Sequence, residues 1–139
     1  MTPQQKIRHA ILLKAAQLSD RSAPDVTEAN VDALYEALAV NWGDQDAREE
    51  VRGDHVETGL RCESHRSYDS TAVAGQMPDG SWVGWTYWYG GGKHGDPGSM
   101  PWMDAAYDLE CREEEKIVVV RTFAKATPDS MPPMPYPAL

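Results

Sequence analysis

At residue 55 the spacing of apolar residues changes from a helical period to alternation. No single kind of element satisfies both halves, so the chain must pack helices against a sheet. Upstream, residues 3–18 read as an amphipathic helix carrying Ile7, Ile11 and Leu18 on one face, with Pro3 in its first turn. A Ser-, Asp- and Pro-bearing turn covers residues 19–24. Residues 28–42 read as a second helix. Thr27 is the expected N-cap, Val31, Leu34, Tyr35, Leu38 and Trp42 form the buried stripe, and Gly43 stands at the C′ position. The short link between the helices predicts an antiparallel hairpin over residues 1–43.

Downstream, Val56, Thr58, Leu60 and Cys62 alternate with polar residues and predict a half-buried strand. Residues 68–77 and 81–89 read as two strands joined by the turn Pro78-Asp79-Gly80. In the second of these, Trp82, Gly84, Thr86 and Trp88 share one face, and Val83, Trp85, Tyr87 and Tyr89 share the other. Bulk on both faces predicts a central strand, or one covered on one side by a partner. Gly90 to Gly98 reads as a flexible loop. A third helix is expected from Ser99 to about Cys111, with Trp102, Met103, Ala106 and Tyr107 as its apolar stripe. Glu113 to Glu115 should turn the chain into a strand over residues 116–126, rich in Ile and Val. The expectation is one α+β domain over residues 1–126, in the order α-α-β-β-β-α-β, with a mostly antiparallel four-stranded sheet over 55–126. Residues 127–139 hold five of the ten prolines and read as an extended tail.

Charge narrows the function. The formal net charge is −9, which argues against general binding to a phosphate backbone. It is unevenly placed: residues 1–24 carry +3 and residues 25–57 carry −8. An acidic stretch of this kind is either a solvated helix face or a docking surface for a basic partner. Asp44, Asp46, Glu49 and Glu50 are the candidate charges for such a surface. Trp88, Lys93 and Trp102 are the candidate contacts from the aromatic segment. No apolar run is long enough to span a bilayer and no secretory leader pattern is visible, so a cytoplasmic location is expected.

Patterns for chemistry are sparse. Cys62 and Cys111 lack the partners of a metal site and read as reduced, partly buried thiols. His9, His55, His65 and His94 form no metal-binding pair, and no cofactor is implied. Cys62, Ser64 and Ser99 sit in no nucleophile motif, and His65 three residues from Cys62 is not a dependable pair. The chain therefore reads as non-enzymatic. A second reading is a small-molecule or nucleotide-binding module. In it Trp85, Trp88 or Trp102 stacks on a base, and the loop Gly90, Gly91, Gly92, Lys93 and His94 holds a phosphate. The P-loop spacing is absent, because no Ser or Thr follows Lys93.

The stretch Met77-Pro-Asp-Gly-Ser-Trp-Val-Gly-Trp-Thr-Tyr-Trp-Tyr-Gly-Gly-Gly-Lys-His-Gly95, with Trp102 to Tyr107 and Glu113 to Phe123, resembles a group of small phage and prophage proteins. The resemblance covers roughly residues 65–126 and implies a mobile-element context inside a host cell. With it, the leading expectation is an accessory protein that binds and inhibits a host or defence protein with a basic surface, in the manner of anti-CRISPR proteins. A structural or regulatory phage component acting as an oligomer is the further alternative.

Overall fold

The computed structural model of the chain describes residues 1–127. The expected Pro-rich tail lies, apart from its first residue, outside the described residues. The fold is α+β: three helices come first and a four-stranded antiparallel sheet follows.

Helix α1 (Pro3–Leu18) starts at a reciprocal cap, with the Gln5 N–H donating to Thr2 Oγ1 and the Thr2 N–H donating to Gln5 Oε1. It buries Ile7, Ile11, Leu12, Ala15 and Ala16. Leu18, expected on that stripe, is half exposed at the helix end, where Asp20 turns the backbone left-handed. Helix α2 (Val31–Ala39) is shorter than its sequence pattern. Thr27 does not cap it with its hydroxyl. The Thr27 carbonyl instead accepts the Val31 N–H, and the Asn30 side chain accepts the Thr27 N–H at 2.7 Å. Helix α3 (Gln45–Gly53) occupies the acidic stretch between the expected helical hairpin and the expected first strand, where the sequence pattern predicts no element. Its sequence offers only Ala47 and Val51 as an apolar pair at i, i+4, too few points for a period, yet both are buried against the core.

The sheet runs β1 (Val56–Glu57), β2 (Asp69–Gln76), β3 (Trp82–Tyr89), β4 (Tyr107–Leu109) in spatial order, each pair antiparallel. The β2–β3 hairpin pairs along its full length, from Asp69 opposite Tyr89 to Gln76 opposite Trp82. Val73, Val83 and Trp85 face the helices and join Ile7, Ile11, Ala15, Val51, Trp102 and Met103 in one core.

Three expected elements differ. The half-buried strand expected through Val56, Thr58, Leu60 and Cys62 is a strand only at Val56–Glu57, and Val56 and Leu60 are half exposed because, among the described residues, no helix covers that face. Residues 99–111 form no helix. The chain makes one 3-10 turn at Pro97–Ser99 and then supplies β4. Trp102 packs against Trp85 on the helix side, with ring centroids 5.4 Å apart. The Tyr107 ring lies over Gly84 on the opposite face, away from the helices, where a Cβ on Gly84 would come within 2.5 Å of it. One helix cannot present residues to both faces of a sheet, whereas an extended edge strand can. Residues 116–126, expected as a strand, run exposed with no strand pairing. The fourth place in the sheet is already filled by β4.

Candidate functional site: the corner between the second and third helices

The backbone after α2 closes in a Schellman turn, with the Gly43 N–H bonding to the Leu38 carbonyl and the Trp42 N–H to the Ala39 carbonyl. The left-handed C′ position of that turn is Trp42, with φ +61°, and not Gly43. A bulky side chain in this region is strained by about 1–2 kcal/mol. The turn also lifts the indole off the α2 stripe on which the sequence placed it. Trp42 is 76% exposed, and Val40 beside it is 73% exposed. Next to them, between α1 and α2, runs a groove of about 390 Å³ lined by Leu12, Ala16, Leu34 and Leu38 among others.

Helix α3 leaves this corner at Asp44. That carboxylate is 5% exposed and accepts a hydrogen bond from the Tyr35 hydroxyl at 2.8 Å. It ties α2 to α3 and is withdrawn from any partner, contrary to its expected place on the acidic surface. Burial, and then the hydrogen bond to Asp44, push the Tyr35 hydroxyl up to about 12. Asp46, Glu49 and Glu50 do face water. Glu49 reaches Arg52 at 3.4 Å and Glu50 reaches Lys14 at 3.8 Å. The Asp46 side chain makes no such pair among the described residues. The bases of α1 meet acids of other elements in the same way, Lys6 with Asp108 and Arg8 with Asp32, each at 2.8 Å. Part of the −8 stretch is thus neutralised internally, and the exposed Asp46, in the first turn of α3, stands four residues after Trp42.

Arg52 holds α3 to the sheet and was invisible in the sequence. It is 5% exposed, donates to the Trp88 carbonyl, and lies 4.4 Å above the Tyr87 ring. Arg48 likewise turns inward, 5.7 Å from the Trp102 ring.

The aromatic-glycine segment is built inward. Trp85, Trp88 and Trp102 are 1%, 3% and 1% exposed. Trp85 and Trp102 fill the helix side. Trp88, on the other face, meets the His65 ring edge-on at 6.2 Å. None of the three offers a ring face to a ligand or partner, which corrects their expected roles as contacts or stacking platforms. The loop is not free either. Tyr68 donates to the His94 carbonyl at 2.9 Å, and its ring occupies the space where a Gly91 side chain would stand. Gly90, Gly91 and Gly92 all have positive φ, so the glycines serve the turn itself. Lys93 and His94 remain at its exposed tip.

Cys62 and Cys111 are free thiols, and Cys111 is exposed where partial burial was expected. Among the described residues no group of His, Cys, Asp and Glu is placed to hold a metal, and no helix is long and apolar enough to cross a membrane. Comparison with protein-family models, with curated proteins and with solved structures finds no match to this chain.

Proposed function

We propose that this chain is a non-enzymatic binding protein that docks its α2–α3 corner onto a basic protein surface and occludes it. The observation that carries this reading is Trp42, held in water on a strained backbone four residues before the exposed Asp46 in the first turn of α3. A rigidly presented aromatic with a charged rim is the usual form of a binding hot spot. Strain retained at an exposed position points the same way, because folding alone gains nothing from it. The net charge of −9 supports a protein target over a nucleic-acid backbone. The resemblance of residues 65–126 to phage and prophage proteins supports a host or defence protein, met in the host cytoplasm, as that target.

The test is capture from a bacterial host lysate at low and at high salt. Wild-type chain is compared with Trp42→Ala and with a triple variant carrying Asp46→Lys, Glu49→Lys and Glu50→Lys. The expected result is a partner retained at low salt and weakened about tenfold or more at high salt, where surface charge is screened. Both variants should lose it. A partner held equally at high salt, one held equally by both variants, or no partner at all would overturn the reading.

A further inference from the structure

We propose that residues 116–125 of one copy seat in the groove between β1 and β4 of a second copy, on the sheet face away from the helices, and that two copies exchange these segments reciprocally. Ile117, Val118, Val119, Val120 and Phe123 are between 72% and 101% exposed. Alternation sets Ile117, Val119 and Phe123 on one side of the extended chain and Val118 and Val120 on the other. A segment apolar on both sides is suited to being covered on both. An exposed one of this length is a template for pairing with another chain.

The same chain carries a matching groove. It measures about 410 Å³ and lies between β1 and β4, lined by Val56, Leu60, Trp82 and Leu109, with Glu57 and Glu110 against the single base Arg112. Val56 and Leu60 are 55% and 52% exposed there.

Charge selects the occupant. Residues 116–126 hold Lys116, Arg121 and Lys125 and no acid, whereas residues 1–115 hold ten bases against twenty-one acids. The chain passes its own groove at Arg112 and runs on exposed, and among the described residues none after Arg112 lines the groove. Seating this segment in this groove in both directions gives a closed two-fold exchange. The surface is separate from the α2–α3 corner, so either proposal can fail alone.

Sedimentation equilibrium of the full chain over about a hundredfold range of concentration tests this. The expected result is a concentration-dependent dimer that loosens at high salt. Val119→Asp and Leu60→Asp should each sediment as monomers with unchanged circular dichroism, since both side chains are exposed. Mixing the two variants should restore part of the association, because one intact segment and one intact groove remain. A monomeric wild type, open-ended aggregation, dimers indifferent to both substitutions, or a mixture no more associated than its parts would overturn the proposal.

Discussion

The β2–β3 hairpin and the α2–α3 corner use tryptophan in opposite ways. Strand β3 carries three of the five tryptophans, yet Trp85 and Trp88 are buried and only Trp82 reaches the surface in part. The corner carries one, and it is 76% exposed. Richness in aromatic residues therefore does not mark the contact surface in this chain. Backbone placement does: pairing on both sides draws β3 inward, while a left-handed C′ residue turns Trp42 outward.

Breaking the buried side should have the largest effect. Trp85→Ala empties the centre of the core and should cost about 3–5 kcal/mol in denaturant unfolding. A loss below about 1 kcal/mol would mean the hairpin is not the packing centre. Tyr35→Phe, which leaves Asp44 buried without its donor, should cost about 1–3 kcal/mol. It also has a pH signature. Because the folded hydroxyl titrates at about 12 and the unfolded one at 10.0, the contribution is complete below pH 10 and disappears as pH rises through 12. The phenylalanine variant should lose that part of the alkaline decline. Gly84→Ala forces a Cβ against the Tyr107 ring and should cost about 1–2 kcal/mol, read as a lower midpoint of thermal unfolding. The smallest effect belongs to the corner. Trp42→Ala should change stability by no more than about 0.5 kcal/mol. Trp42→Gly should gain up to about 1 kcal/mol by relieving the left-handed strain. A large loss in either would show that the indole packs and is not a presented surface.

The parts of this architecture that were legible in the sequence are those with a strong period or a clear turn. Ile7 and Ile11 located α1, and Pro78-Asp79-Gly80 located the hairpin. What was not legible depended on contacts between distant residues. Helix α3 is polar over most of its length, and Arg52 acquires its role only by meeting Tyr87 and the Trp88 carbonyl across the fold. Residues 116–126 have high strand propensity but no neighbour to pair with, and propensity describes fit to a sheet that must already exist. At the candidate site, the acidity of α3 was readable as composition. The withdrawal of Asp44 and the exposure of Trp42 were not, because one depends on the Tyr35 hydroxyl and the other on a single dihedral angle.

The contrast between the two regions is tested most directly by site-specific photo-crosslinking. A photoreactive amino acid replaces Trp42 in one preparation and Lys93, at the tip of the glycine loop, in another. Both are irradiated in host lysate. A covalent adduct is expected from position 42, fading at high salt, and none from position 93. An adduct from position 93 with none from position 42 would contradict that contrast.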